Sequence, residues 1–295
     1  MFVILGANGN TGRVAAESLI ANGRQVRVVL RHERQADAWR ARGAEVALAD
    51  LDGADAVAAL TAAFAGAAGV YVLLPPDATA TDPLGLAAAR SQRLAAAVAA
   101  AKVPHAVLLS SIGAQHATGN GPIALVHLAE QALLGVPGLA RTFLRPSYFL
   151  ENHASVLGAA EGHGILPTFL PADLPTAQIA TSDIGRAAAR ALAEPPAAGT
   201  TRIWNLAGPA DVSEREVAAV LGALLGKPIA VVESPLDQVV PTFTSFGISE
   251  PMAALYREMY EGIASGRVAW PAGEPVIRGR DGAKEVLARL LGRAA

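Results

Sequence analysis

The chain has 295 residues, 52% of them apolar and 17% charged, with a formal net charge of −2. That length accommodates one large α/β domain or two smaller units. Only three of the 24 basic residues are lysines (Lys102, Lys227, Lys284) and no basic block stands out, which argues against a nucleic-acid surface, while the lack of cysteine excludes disulfides, thiolate metal sites and a cysteine nucleophile.

The first apolar run, Phe2–Leu5, feeds into Gly6-Ala-Asn-Gly9-Asn-Thr-Gly12, and a helix-compatible stretch follows to Ile20. Strand, glycine turn and helix in that order leave the N–H groups of a helix N-terminus free to hold a pyrophosphate. Because the strand begins at residue 2, no charged and apolar leader precedes it, and a cytoplasmic protein is expected. A second strand, Gln25–Leu30, ends in Arg31-His32-Glu33-Arg34. The side chain at that tip faces the adenosine ribose; an acid there bonds the 2′-hydroxyl, whereas arginine suits a 2′-phosphate. NADP(H) is therefore preferred over NAD(H), the alternative being that Arg31 merely opens a solvated helix.

The third strand, Glu45–Ala49, runs into Asp50-Leu51-Asp52, where Asp50 either accepts a hydrogen bond from the adenine amino group or caps the next helix. Further strands are expected at Gly69–Leu74, His105–Ser110 and Arg141–Arg145, with helices near 12–22, 33–42, 54–65, 84–101 and 122–135. This alternation predicts an α/β fold, a Rossmann doubly wound parallel sheet, and the near-continuous apolar strands fit burial on both faces. The alanine-rich stretch Leu84–Val103 contains Arg90, Gln92, Arg93 and Lys102, so it reads as a buried helix and not a membrane span.

After Pro146 the pattern loosens. Residues 158–176 form a Gly- and Pro-rich connection suited to one wall of a substrate cleft. Then come a helix over 182–193 capped at Ser182-Asp183, a strand at Thr201–Leu206, a helix to Leu225 with the capping box Ser213/Glu216, a strand at Ile229–Glu233, and helices near 235–247, 249–265 and 281–292. Residues 1–150 are taken as an NAD(P)-binding core and 151–295 as a small C-terminal α/β substrate lobe, some of whose segments return to the core sheet.

Several segments carry a family resemblance: Gly6-Ala-Asn-Gly-Asn-Thr-Gly-Arg13, Val28-Val-Leu-Arg31, Ser110-Ser-Ile-Gly113, and Glu130-Gln-Ala-Leu133 followed by Thr142-Phe-Leu-Arg-Pro-Ser-Tyr-Phe-Leu-Glu-Asn152. The chain resembles the NmrA-like group of atypical short-chain dehydrogenase/reductases, and especially its bacterial quinone-reductase-like members. The resemblance implies that Gly6, Asn8, Gly9, Asn10, Thr11 and Gly12 surround the pyrophosphate, with Arg31 and Arg34 on the 2′-phosphate. It implies Asp50 and Leu51 beside the adenine, and Leu73, Leu74 and Pro75 along the cofactor ribose. Ser147, Tyr148, Phe149 and Leu150 would lie near the nicotinamide, with Asn152 pinning the segment and Ser110 and Ser111 at the end of strand five. The alternative for 148–152 is a helix start whose aromatic side chains fill the core.

The family's carbonyl reducers use Tyr-x-x-x-Lys, with tyrosine as acid and lysine lowering its pKa. No such pair exists: Tyr71, Tyr148, Tyr256 and Tyr260 are followed four residues later by Pro75, Asn152, Tyr260 and Ala264. Counting back from Glu130, the dyad positions hold Pro122 and Val126, and the nearest histidine is His127. His127 and Tyr148 are the candidate catalytic residues. His105 reads as structural, His153 is open to a place in the cleft, and no His/Asp/Glu spacing suggests a metal site.

Two functions remain. One is an NADPH-dependent reductase of a quinone or similar conjugated, apolar acceptor, which needs no dedicated protein acid if the product anion is protonated from solvent. Tyr148, Phe149, Phe169 and the 241–256 segment would line its cleft. The other is an NADP(H)-sensing regulator that does no chemistry. Neither nucleic acid nor membrane is expected as a partner; a homodimer and a regulatory protein partner are both left open.

Overall fold

The computed structural model describes residues 1–294. In chain order the first half holds β1 (Phe2–Leu5), α1 (Asn10–Ala21), β2 (Val26–Leu30), α2 (Ala36–Arg40), β3 (Glu45–Leu48), α3 (Ala56–Phe64), β4 (Gly69–Val72), α4 (Pro83–Ala100), β5 (His105–Leu109), α5 (Ile123–Leu134) and β6 (Ala140–Pro146). The second half holds β7 (Tyr148–Phe149), α6 (Leu157–His163), β8 (Ile165–Thr168), β9 (Thr176–Ile179), α7 (Thr181–Ala193), β10 (Thr201–Ala207), β11 (Asp211–Val212), α8 (Glu214–Leu225), β12 (Ala230–Glu233), α9 (Val239–Ser245), α10 (Glu250–Ala264), β13 (Val276–Arg278) and α11 (Ala283–Leu290).

Eight strands form one sheet in the order β13-β10-β6-β5-β4-β1-β2-β3, and every pairing in it is parallel. The strand period of two sorts side chains between its faces. Val3, Val70, Val72, Ala106 and Leu108 pack with Leu60, Leu94 and Leu133 of α3, α4 and α5. Their neighbours Ile4, Tyr71 and Val107 pack on the opposite face with Ala15, Leu19, Trp39, Ile184 and Ala188 of α1, α2 and α7. Both faces are covered, so these strands read as unbroken apolar runs. β1 pairs with β2 on one side and β4 on the other, and the chain order reverses there, since β2 and β3 extend the sheet one way and β4 to β6 the other. The crevice of such a sheet lies at the carboxyl ends of the strands at this reversal.

Residues 201–207 and 276–278 lie in the main sheet, while the lobe builds its own small sheets, β11-β9-β7 and β12-β8, around a cluster of Leu157, Leu166, Val217, Leu221 and Leu287. Three sequence expectations need correction. The stretch 158–176 is not one long connection, because it contains most of α6 and all of β8; Pro167 within that strand obscured it. Helix α7 begins at Thr181 and has no local side-chain cap. Glu151 instead reaches in from another segment and accepts the Thr181 N–H at 2.9 Å and its hydroxyl at 2.6 Å. The helix expected at 33–42 is a 3-10 turn at Glu33–Gln35 followed by the short α2.

Candidate active site

The turn after β1 is built by backbone. Gly6 takes φ +72°, the Gly9 N–H donates to the Gly6 carbonyl at 2.9 Å, and extended Gly9 leads into α1. A Cβ on Gly12 would collide with the Gly6 carbonyl oxygen, so only glycine lets the helix start this close to the turn. Helix α1 has no side-chain cap and no acid in its first turn. The N–H groups of Asn10, Thr11 and Gly12 have no partner within the helix and carry its positive end.

The side chains of the turn face other ways. Thr11 is buried and its hydroxyl pairs with that of Tyr71 at 2.9 Å, so only its backbone is available to a phosphate. Asn8 accepts from Trp39 Nε1 at 2.9 Å and donates to Gln35 Oε1 at 2.6 Å. It ties the turn to the segment after β2, where Arg31 and Arg34 stand exposed. Asn10 is exposed as well.

On the adenine side, Asp50 is exposed, and its Oδ1 accepts the Asp52 N–H at 3.1 Å. Asp50 does not cap α3, which starts without a side-chain cap. Leu51 is buried, and its carbonyl accepts from Arg93 at 2.9 Å. Arg90 holds both Asp52 oxygens, at 2.8 and 2.6 Å, and donates to the Pro75 carbonyl at 3.0 Å. In the sequence Arg90 counts only against a membrane helix; in the fold it joins the loops after β3 and β4. That hydrogen bonding from Arg90 keeps the Asp52 carboxyl below its ordinary range. Leu73 packs onto the Gly6 turn, and Leu74 packs toward the α3–α5 face.

At the other end of the crevice the polar side chains have sorted themselves. Ser110 donates to Glu130 at 2.5 Å, and Arg145 grips both oxygens of Glu130 at 2.9 and 2.6 Å, all of them buried. The Ser110 hydroxyl thus belongs to an internal network joining β5, α5 and β6. Ser147 is buried with its hydroxyl unpartnered. Leu150 packs with Ala180 and Val286, so its side chain turns into the lobe rather than onto a cofactor face. Asn152 is exposed, and the neighbouring Glu151 ties this segment to the start of α7. His153 is no cleft residue either: it is buried, bonded through Nδ1 to the Leu150 carbonyl at 3.0 Å and through Nε2 to buried Glu214 at 3.1 Å. Burial opposes its charge, but the Glu214 carboxylate raises its pKa above the ordinary value. His127 bonds Nδ1 to the Ala114 carbonyl at 2.8 Å, which leaves Nε2 as its atom for a ligand. Phe149 is half-buried on the α1/α7 face of the sheet.

Tyr148 is half-buried, edge-on to His153 at 6.2 Å. The lobe also brings together rings far apart in sequence. Phe169 lies 5.5 Å from Tyr260 and 5.9 Å from Phe243, and Phe243 lies 5.0 Å from Tyr256. Helix α10, which carries both tyrosines, is held to the loops at the carboxyl ends of β4 and β5. The Ser249 N–H donates to the Ala78 carbonyl at 2.9 Å and its hydroxyl to the Ala80 carbonyl at 2.6 Å. Gly121 lies so close to Leu255 and Met259 that a Cβ would not fit. Burial pushes the Tyr148 phenol well above its ordinary pKa and raises Tyr260 to about 12. Both keep their protons at neutral pH. Tyr260 escaped the sequence argument, although the four-residue spacing of Tyr256 and Tyr260 marks one helix face.

The NmrA-like family model matches residues 1–268, and the chain belongs to that family. It is 28% identical over 268 residues, covering 88% of this chain and 86% of the other, to an NAD(P)H azoreductase of Xenophilus azovorans. It is 30% identical over 238 residues, covering 80% of this chain and 78% of the other, to the (4-alkanoyl-5-oxo-2,5-dihydrofuran-3-yl)methyl phosphate reductase of Streptomyces griseus. Its fold is shared with the NADPH-dependent quinone oxidoreductase of Escherichia coli complexed with NADPH, with TM-score 0.76, 24% identity and coverage of 99% and 95% of the two chains. It is also shared with the Citrobacter sp. triphenylmethane reductase complexed with NADP(H), with TM-score 0.80, 20% identity and coverage of 98% and 99%.

Proposed function

We propose that this chain, an NAD(P)H-dependent oxidoreductase, prefers NADPH and reduces a flat, conjugated, apolar acceptor of the quinone type. The observation that carries this reading is the aromatic cluster of Phe169, Phe243, Tyr256 and Tyr260, whose two tyrosines lie on a helix, α10, bound to the loop at the carboxyl end of β4, on the same sheet edge that bears the glycine turn. The residues present fit a dinucleotide: the uncapped start of α1 suits its pyrophosphate, exposed Arg31 and Arg34 suit a 2′-phosphate, and the unpartnered Ser147 hydroxyl suits its far end. Bound in reduced form, that group supplies a hydride.

The protein's own contribution is placement and exclusion of water. The aromatic side chains present flat faces to a flat acceptor. Tyr148 has no lysine to lower its pKa, so it serves as a hydrogen-bond donor to the acceptor and not as the source of a proton. The product anion then takes its proton from solvent. An azo group, a quinone and a triphenylmethane dye are all conjugated acceptors, and the names of the relatives support that class here.

A sensing role is favoured by a different observation. The Ser110 hydroxyl is committed to Glu130, and no Tyr-x-x-x-Lys dyad exists, as expected of a chain that binds cofactor without turning it over. Absorbance at 340 nm with a panel of quinones separates the two. The reductase reading expects NADPH loss that depends on both protein and quinone. NADPH binding by calorimetry with no loss against any quinone would leave the sensor.

A further inference from the structure

We propose that the start of α7 is the spacer that fixes the distance between the two ends of the dinucleotide site, with Glu151 and Gly185 as its positioning residues. The inference rests on the dinucleotide part of the reading above and adds to it how the protein gauges that site.

One continuous segment touches both ends. β9 pairs with β7, setting Gln178 beside Tyr148 and Ile179 beside Phe149. That strand follows directly on Ser147, whose buried hydroxyl has no partner among the described residues. Just past β9, α7 opens at Thr181. Glu151, from the same nicotinamide-side segment as Tyr148, accepts the Thr181 N–H at 2.9 Å and the Thr181 hydroxyl at 2.6 Å. One turn further on, α7 meets the pyrophosphate turn. A Cβ on Gly185 would stand 2.6 Å from the Thr11 carbonyl oxygen and 2.6 Å from Val14 Cβ, closer than side-chain carbons approach other atoms. Helices α1 and α7 therefore touch backbone to backbone, at one of the residues whose N–H is left open at the start of α1. Four residues of helix rise about 6 Å, so the two contacts lie one turn apart on one rigid element.

The spacer is itself held in place. Asp183 is buried and accepts the N–H groups of Arg280 at 3.0 Å and Asp281 at 2.9 Å, while the Ser182 hydroxyl donates to Asp281 at 2.5 Å. Arg186 pairs with both Asp183 and Asp281. A Cβ on Gly279 would run into the Asp183 carboxylate, so the loop after β13 closes on the same turn of helix. Behind it, Ile184 and Ala188 are wholly buried in one cluster with Ala15 and Leu19 of α1. The acidic cap that the sequence shows at Ser182-Asp183 thus serves to clamp α7, and Glu151 and Gly185 relay that clamp to the two ends of the site.

Hydride transfer demands close control of position, and a misplacement of about 1 Å can cost about 100-fold in rate. A molecule bound at its pyrophosphate and at its far end is strained or slack unless the protein fixes the separation.

The test compares two ligands by calorimetry: NADPH, which spans both ends, and 2′,5′-ADP, which reaches only the adenosine end. In Glu151→Ala, NADPH affinity should fall about 3- to 10-fold, the size of one lost helix cap, with 2′,5′-ADP affinity unchanged. Gly185→Ala pushes α7 off α1 and should weaken both ligands by the same factor, roughly tenfold. With 1,4-naphthoquinone, kcat in Glu151→Ala should fall about 10- to 100-fold, and the isotope effect with NADPH deuterated at C4 should rise. Glu151→Gln, which keeps one acceptor oxygen, should recover most of both losses. Equal weakening of the two ligands in Glu151→Ala, or of neither, would overturn the inference, as would wild-type binding of both in Gly185→Ala. If Gly185→Ala does not fold, the two titrations of Glu151→Ala decide alone. A wild-type protein that bound neither ligand would remove the dinucleotide reading and the spacer with it. One that bound both and consumed no NADPH with any quinone would remove only the reductase, and the titrations would still decide the spacer.

Discussion

The two ends of the crevice are made of different material. The cofactor end is backbone: a turn whose carbonyl and N–H groups face each other because Gly12 has no Cβ, and a helix start left open because no side chain caps it. The acceptor end is side chain: four rings drawn from the loop after β8, α9 and α10, held together by contacts that reach across more than 70 residues of sequence. A backbone device is local in sequence and tolerates change everywhere except at its glycines. A side-chain device exists only once the tertiary fold has formed, and any of several anchors can disturb it.

The largest expected effect falls on the buried network that joins β5, α5 and β6. Glu130→Ala leaves the buried Arg145 guanidinium without its carboxylate and Ser110 without its acceptor. It should cost about 3–5 kcal/mol in urea unfolding. A loss under about 1 kcal/mol would mean that water replaces the carboxylate and that the network does not hold β5, α5 and β6 together.

Arg31→Ala tests the cofactor end alone. NADPH affinity by calorimetry should fall by about 1.5–3 kcal/mol, the range for a charge-assisted hydrogen bond, with NADH affinity unchanged. Equal losses for both cofactors would remove Arg31 from the 2′-phosphate and return it to the role of a solvated helix start.

The acceptor lobe should also differ in its response to pH, an effect of about 1.4 kcal/mol for each unit of pKa difference. His153 has a folded pKa raised by Glu214, so the stability it contributes is complete below about 6.5 and is lost as pH rises through the folded value. His105, buried at the start of β5, is the reverse. Burial, with Arg202 nearby, lowers it to about 4, so its contribution is present above about 6.5 and is lost as pH falls toward 4. Melting curves of His153→Gln should converge on wild type as pH rises; curves parallel at every pH would show that the Glu214 pair carries no proton.

The core sheet was legible because each strand of a doubly wound sheet is an apolar run bounded by turns, and the six strands expected in residues 1–150 all appear within two residues of their expected ends. Strands β7, β8, β9 and β13 were not. They are two to four residues long, one contains Pro167, and none alternates clearly, so nothing local separates them from loop. The NmrA-like resemblance likewise rested on glycines, a strand-tip arginine and a signature after β6, all contiguous in the chain.

By itself the sequence determined what contiguous backbone can encode: the glycine turn, the alternation that builds a parallel sheet, and the arginine at the tip of β2. Tertiary structure alone decided which polar side chains remain available for chemistry. Ser110 and His153 were claimed by buried carboxylates, Leu150 turned into the lobe, and Tyr260 was carried to Phe169 and Phe243. The reason is that a buried polar group must take whatever partner the fold brings within hydrogen-bonding distance, and those partners came from elements that the local pattern does not connect.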